Sequence, residues 1–498
     1  MKLTIPSSLQ VLSLFPFIGE SKKYTVQKFK KDLVAALTVA IVALPQSMAY
    51  AVIAGVNPKH GLYAAIVPTI ISSLFGSSKY LIAGPTNAIS MVVASTLAST
   101  AIAGTVIQNF PDAEKIGAIY FLSFIAGLIQ LVMGLARFGQ LISFVSHSVV
   151  VGFTAGAGVL IGFNQLKNFF GLSVPSSPEF VETLHLTFSH INETNIYAFL
   201  LGLFTVGFIV LAKIISRKIP GPLLAMVLSA FCVSLFDLGA FGVKMIGDIP
   251  RSLPPISTFD FDLSYFRTLF APALAIALLG IVEALSIAKS IANSSGEKIN
   301  GSQEFVGQGL SNISAAFFSS IPGSGSFTRS AVNFKAGAAS RFAGVMSGIF
   351  VLLTLILLAP LAKFIPIASL AGILMVIAYS MVSVDSIKLA FKATRADRAV
   401  LVSTFLATLF LELEMAVYVG VILSIVLFLR KVSHPQVTKV APRENDNKLI
   451  PFVAGARYCP QIAIYQIDGS LFFGAIDELE EKLYSFNNEK EKVVIVRM

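Results

Sequence analysis

Long apolar runs follow one another from about residue 33 to about residue 430, and this feature most limits what the chain can become. Short polar or charged stretches separate them. Of the 498 residues, 55% are hydrophobic and only 13% are charged, and the mean hydropathy is +0.79. A soluble domain carries about 25% charged residues. A chain with half that share cannot hide its apolar surface in a water-soluble core, so lipid must solvate it. In lipid every backbone N–H and C=O needs an internal partner, which leaves helices or a closed barrel. The runs are continuous rather than alternating, which excludes the barrel. The expected class is an all-α polytopic membrane protein.

The runs predict about fourteen helices, near 33–54, 61–76, 86–102, 114–136, 141–166, 195–216, 220–238, 266–292, 303–319, 327–338, 340–362, 367–384, 398–412 and 415–430. Those at 86–102 and 327–338 fall short of the roughly 20 residues that a full span needs. Basic residues set the orientation. Lys22, Lys23, Lys28, Lys30 and Lys31 precede the first helix, and Lys213, Arg217 and Lys218 end the sixth. Lys388, Lys392, Arg395 and Arg398 join the twelfth and thirteenth, and Arg430 and Lys431 end the last. An even helix count puts all of them, and both termini, on the cytoplasmic side. The net charge of +10 belongs to these loops rather than to a nucleic-acid surface. The first 20 residues show no small-residue cleavage site, so insertion is expected through the first spanning helix.

Composition shifts at Ser433-His434-Pro435, and a polar linker is expected up to Asn447. Ile462 to Ile467 alternates like a strand, Asp477 to Phe486 has the spacing of an amphipathic helix, and Val493 to Val496 reads as a buried strand. The expected organisation is a cytoplasmic N-terminal segment over 1–32, a transmembrane domain over 33–432 and a partial cytoplasmic α/β domain over 433–498.

Two segments interrupt the helical pattern in the same way: Ala83-Gly84-Pro85-Thr86-Asn87-Ala88-Ile89-Ser90, and Pro322-Gly323-Ser324-Gly325-Ser326-Phe327-Thr328-Arg329-Ser330. Pro85 and Ser326 lie 241 positions apart, and Gln46 and Glu283, two polar residues in apolar runs, lie 237 apart. Two halves of about seven helices fit these offsets, near 33–238 and 266–432, and an odd number of spans per half makes the repeats inverted. Gly and Pro do not continue an ordinary helix, so each chain segment arrives extended and its helix begins within the membrane. A helix start presents unpaired N–H groups and the positive end of the dipole. Two such starts facing each other form an anion site. The alternative is a pair of ordinary loops at the membrane surface.

Glu283 is the one acid in the apolar stretch Ala273–Ser290. An ionisable group at that depth is costly, which makes it a candidate for binding and releasing a proton. The alternative is a structural partner for Arg329 or Lys289. Arg329, just inside the second interrupted helix, would add a full positive charge to the partial charge of the helix start. Gln46, beside Pro45, offers an amide that serves either a substrate or a helix–helix hydrogen bond. Gly152-xxx-Gly156, Gly158-xxx-Gly162 and Gly344-xxx-Gly348 read as close helix contacts. The five histidines form no metal-ligand spacing, Cys232 and Cys459 suit neither a disulfide nor a metal, and no phosphate-binding GxxxxGK[ST] loop is present. Neither an enzyme nor a bound cofactor is expected.

At these positions the sequence resembles the SulP (sulfate permease) family. The first-half signature reads Ala43-Leu44-Pro45-Gln46-Ser47-Met48-Ala49-Tyr50-Ala51, then Gly61-Leu62-Tyr63, Gly76-Ser77-Ser78 and Gly84-Pro85. The second-half signature reads Glu283-Ala284-Leu285-Ser286-Ile287-Ala288-Lys289, Gln303-Glu304, Gly307-Gln308-Gly309, Asn312 and Pro322 through Asn333. The likeness runs over residues 25–432. It implies a seven-plus-seven inverted repeat like uracil permease, divided into core and gate domains, with a C-terminal STAS domain that is incomplete in this chain. It implies an anion site lined by Gln46 and Tyr50 from the first helix, by Pro85, Thr86 and Asn87 from the third, and by Phe327, Thr328 and Arg329 from the tenth. Glu283 falls at the family's cation-coupling position, where bicarbonate carriers that use sodium have Asp and sulfate carriers that use protons have Glu. The implied function is secondary active transport of an inorganic anion, with proton-coupled sulfate uptake leading. A bicarbonate or chloride carrier, an anion exchanger, an anion channel and a non-transporting scaffold are the alternatives. The expected setting is a bacterial inner membrane and the expected assembly a homodimer.

Overall fold

The computed structural model describes residues 16–21, 24–102, 104–139, 147–174, 180–216, 219–247, 251–258, 263–411, 413–432, 436–442, 449–451, 461–468, 480 and 493–497. In the first half of the chain the helices are α1 (Pro16–Ser21), α2 (Val26–Ile53), α3 (Pro58–Ala64), α4 (Val67–Phe75), α5 (Asn87–Ser99), α6 (Asp112–Leu135), α7 (His147–Asn164), α8 (Leu166–Phe169), α9 (Phe180–Ser189), α10 (Ile196–Ile215) and α11 (Gly221–Phe236). In the second half they are α12 (Leu263–Ser295), α13 (Gly301–Phe317), α14 (Phe327–Lys335), α15 (Phe342–Ala362), α16 (Ile367–Met381), α17 (Val384–Lys392), α18 (Arg395–Phe410) and α19 (Leu413–Val432). The strands are β1 (Ala83–Gly84), β2 (Ala101–Ile102), β3 (Thr105–Val106), β4 (Ser324–Gly325), β5 (Gln436–Pro442), β6 (Leu449–Pro451), β7 (Ile462–Asp468) and β8 (Val493–Arg497).

Each of the fourteen apolar segments expected from the sequence is mainly helical over its described residues, with 141–146 lying outside them. Among the described residues six helical stretches are long and apolar enough to cross a bilayer by themselves, those beginning at Val26, Asp112, His147, Ile196, Tyr265 and Ile367. The segment expected as one helix over 61–76 is two. Pro68 sits in the first turn of α4, the helical position that proline favours, and the chain ends α3 at Ala64 and restarts α4 at Val67. Helix α9 lies in the stretch between the helices expected near 141–166 and 195–216, where none was expected. Its buried positions are Thr183 and Thr187, one turn apart, so it gives little apolar signal in the sequence.

Within Met1–Val421, one of the two compact units of the chain, the helices pack in two groups. In one, α13 lies against α4 and α6, α12 against α6, α15 against α2 and α4, and α14 against α2. In the other, α16 and α18 lie against α7, and α10 against α11 and α16. The groups meet where α2 touches α11 and α16 and where α7 touches α5 and α12.

Two reciprocal clamps tie the halves of the first group together. Glu304, in the first turn of α13 and buried, accepts from the backbone N–H of Ser77 (2.8 Å) and of Ser78 (3.0 Å), which follow α4. His60, in the first turn of α3 and buried, donates from Nδ1 to the carbonyl oxygen of Ser319 (2.7 Å), which follows α13. Each clamp ties the start of one helix to the chain that follows another and gives buried loop backbone a hydrogen-bond partner.

The second unit, Ile422–Met498, contains a four-stranded sheet in the order β6-β5-β7-β8. β5 runs antiparallel to β6 and β7, and β7 runs parallel to β8, with Ile462 opposite Val493. Strand β7 matches the alternating Ile462–Ile467 segment. Strand β5 lies inside the stretch read as a polar linker, because pairing on both edges makes it a strand that its composition does not announce. Strand β8 is exposed along all five residues rather than buried, and among the described residues it lies at the edge of the sheet beside β7. The helix expected over Asp477–Phe486 lies outside the described residues apart from Glu480.

Candidate functional site: two helix starts joined by a buried strand pair

The two interrupted segments meet. Ala83 pairs with Gly325 and Gly84 with Ser324, antiparallel and fully buried. At the 241-residue offset, Ala83 corresponds to Ser324 and Gly84 to Gly325. Each residue therefore pairs with the counterpart of its neighbour, as two-fold symmetry between inverted halves requires. The ladder continues where Ser326 N–H donates to Ile82 O (2.8 Å).

This approach needs bare backbone. Gly84 has φ +140°, and a Cβ there would lie 2.7 Å from Arg329 Nη1. A Cβ on Gly323 would lie 2.2 Å from Gly84 O. Neither position has room for a side chain.

Side chains take up the backbone groups that so short a ladder leaves over. Thr69 Oγ1 donates to Ala83 O (2.8 Å), and the backbone N–H of Ile82 donates to Ser330 Oγ (2.8 Å). Asn312 accepts from Gly323 N–H (2.8 Å) and donates to Gly323 O (3.1 Å) and to Gln130 Oε1 (2.8 Å). Ser324 Oγ donates to Gly280 O (2.7 Å) on α12. Gln130 is an amide in an apolar helix, the same sequence signal that Gln46 gives.

Helices α5 and α14 begin directly after the strand pair. Thr86 caps α5, its side chain accepting from Ile89 N–H (3.5 Å), and Ser326 caps α14, accepting from Arg329 N–H (3.4 Å). Helices α5 and α14 share two neighbours, α2 and α12, each of which packs against both of them, and the first turn of each leaves N–H groups without an intrahelical partner.

Arg329 is fully buried. Its Nη2 donates to Pro85 O (2.7 Å), across the pseudo-symmetry, while Nε and Nη1 have no protein partner. A buried guanidinium with free donors is costly unless something negative completes it. Thr86 is buried and its hydroxyl donates to Glu283 Oε2 (3.3 Å). Among the described residues no ion pair joins Arg329 to Glu283.

The other sequence candidates divide. Gln46 and Tyr50 are buried one turn apart on α2, and Gln46 Oε1 has no partner. Tyr50 lies close enough to Arg329 and Glu283 to feel both charges. Pro85 is buried and Asn87 half-buried, with Asn87 Oδ1 accepting from Ala88 N–H (2.8 Å). Phe327 and Thr328 are exposed, Phe327 by 62%, because the first turn of α14 turns Arg329 and Ser330 inward and leaves these two outside. Ser47 and Ser90, which the sequence reading did not single out, are fully buried with unpartnered hydroxyls on α2 and α5.

The comparisons with known proteins agree with this architecture. The chain is 36% identical over 485 residues to "Putative sulfate transporter YvdB" of Bacillus subtilis, covering 97% of this chain and 88% of that one. It is 29% identical over 504 residues to "Sulfate transporter 1.1" of Arabidopsis thaliana, covering 97% of this chain and 76% of that one. Among solved structures, SLC26A9 superposes with a TM-score of 0.84 at 22% identity, over 95% of this chain and 77% of that one. The transmembrane domain of the cyanobacterial bicarbonate transporter BicA superposes with a TM-score of 0.70 at 24% identity, over 80% of this chain and 98% of that one. At those identities the structures establish the fold, that of a membrane transporter. The profile of the Sulfate permease family matches residues 29–404, and the chain is a member of that family.

Proposed function

We propose that this protein carries sulfate across the membrane, driven by protons, with both termini in the cytoplasm. The observation that carries the reading is Arg329, a fully buried guanidinium held by Pro85 O, with Nε and Nη1 free between two helix starts. An anion at that point gains the free N–H groups of α5 and α14, two partial dipole charges and one full charge. The names of the relatives supply the sulfate assignment.

The proton has a place in this geometry. Glu283 shares a hydrogen bond with Thr86, the cap of α5, and so stands beside the anion's seat. A carboxylate there repels an incoming anion. Protonation removes the repulsion, so proton and anion load together, and release of either favours release of the other. The group built on α2, α12 and α13 carries the site, and the group built on α7, α10 and α16 is the body against which it shifts.

The test is uptake of labelled sulfate by proteoliposomes under an imposed proton gradient. Accumulation above equilibrium that disappears when the gradient is collapsed supports the reading. Accumulation driven by sodium alone overturns proton coupling. Uptake that saturates with chloride or bicarbonate but excludes sulfate overturns the substrate.

A further inference from the structure

A cavity lies away from the two helix starts. It measures about 290 Å³ and opens between α2, α11 and α15, lined by Leu44 and Met48, by Met226 and Phe231, and by Leu355. Its lining is apolar except for Ser234 and Thr354, and the Thr354 hydroxyl is already used by Phe350 O (2.8 Å). The cavity is not sealed. Phe231 is 61% exposed, and Val227, one turn back, is 52% exposed. Phe364, just beyond the end of α15, also lines it, and Lys363 holds its Nζ 5.1 Å from the centre of that ring.

We infer that this groove binds one acyl chain of an anionic phospholipid, with the lipid phosphate at Lys363. Water gains little in an apolar cavity that offers it so few polar partners. The groove opens among spanning helices, where the surrounding solvent is hydrocarbon. A chain that enters recovers the dispersion contacts the lining otherwise lacks. Lys363 is exposed and carried over the Phe364 ring, which holds a cation at the rim rather than leaving it to wander. Apolar lining below and one cation at the mouth match the two ends of an anionic lipid. The groove also straddles the seam between the two helix groups, with α2 and α15 on one side and α11 on the other. A chain seated there is a wedge at the surface where those groups meet. The lipid site does not depend on which anion the protein carries.

The sequence contains no tryptophan, so a single introduced one reports without background. The experiment places Phe231→Trp in the full chain and reconstitutes it in vesicles of phosphatidylcholine. Brominated phosphatidylglycerol or brominated phosphatidylcholine is then titrated in, and quenching is followed. The expected result is half-maximal quenching at a mole fraction about fivefold lower for phosphatidylglycerol, the selectivity that one lysine near an anionic headgroup supplies. Lys363→Gln should bring the two curves together. A control, Leu200→Trp on the exposed face of α10, should show no preference. If Phe231→Trp does not insert, Phe364→Trp reads the same groove from its other wall. Equal quenching by the two lipids, equal preference at position 200, or selectivity that survives Lys363→Gln overturns the proposal. So does a reporter that neither lipid quenches, which would mean that the groove is closed to lipid.

Discussion

Arg329 donates from Nη2 to the carbonyl oxygen of Pro85 at 2.7 Å, so the guanidinium of one half is aimed by the backbone of the other. The two residues are 244 positions apart, yet each lies within the first turn of its interrupted helix or just before it. The charge is thus delivered to the point where both helix starts converge.

Removal of that charge should weaken anion binding without unfolding the protein. Arg329→Ala is expected to lose about 1.5–3 kcal/mol, the range for hydrogen bonds to charged groups, or a roughly 10- to 150-fold rise in Kd. Isothermal titration or scintillation proximity binding with labelled sulfate measures this. Unchanged affinity in a monodisperse variant would remove Arg329 from the site.

The strand pair should tolerate no side chain at Gly323. The Cβ of Gly323→Ala would lie 2.2 Å from Gly84 O, so β1 and β4 must separate. At Gly325 the nearest atom is the flexible end of Leu81, at 2.8 Å. Gly323→Ala is therefore expected to abolish uptake, whereas Gly325→Ala retains part of it. Both should still insert, which size-exclusion profiles in detergent check. Equal activity of the two variants contradicts the requirement for backbone contact.

Glu283→Gln imitates the protonated acid. It should keep anion binding and anion exchange, lose the rise in uptake as external pH falls, and fail to accumulate sulfate against a gradient. Uptake between about pH 5 and 8 in liposomes, wild type against variant, decides it. A variant that still concentrates sulfate under a proton gradient makes Glu283 structural and places coupling elsewhere.

Glu304 acts differently. Its carboxylate is used by Ser77 N–H, Ser78 N–H and Gln308 Nε2, so it binds structure rather than substrate. Glu304→Gln replaces charged hydrogen bonds with neutral ones and should cost about 1–2 kcal/mol of stability. A lower melting temperature in detergent with unchanged sulfate affinity is the expected pattern. A lowered affinity with unchanged melting would assign Glu304 to the anion path.

Much of this was legible in the chain. Apolar length decides whether a segment spans, whatever its neighbours are, so the fourteen helices followed from the sequence with shifted ends. Gly84-Pro85 and Pro322-Gly323 marked the two interruptions because adjacent Gly and Pro together disfavour a continuing helix. Pro68 carried the same signal for the break between α3 and α4, but the apolar run around it hid the break.

The sequence by itself therefore determined the membrane class, the positions of the spans and the two places where helices start late, because these depend on local composition and backbone geometry. The tertiary structure decided the partners. It brought Asn312 to Gly323 and Gln130, sent Glu304 to an N–H pair 227 residues away, paired Ala83 with Gly325, turned Arg329 inward while leaving Phe327 outside, and made a strand of Gln436–Pro442. Local periodicity records which face of a helix is apolar. It holds no record of which distant backbone group will lie opposite a given polar side chain, because that is set only when the two inverted halves pack together.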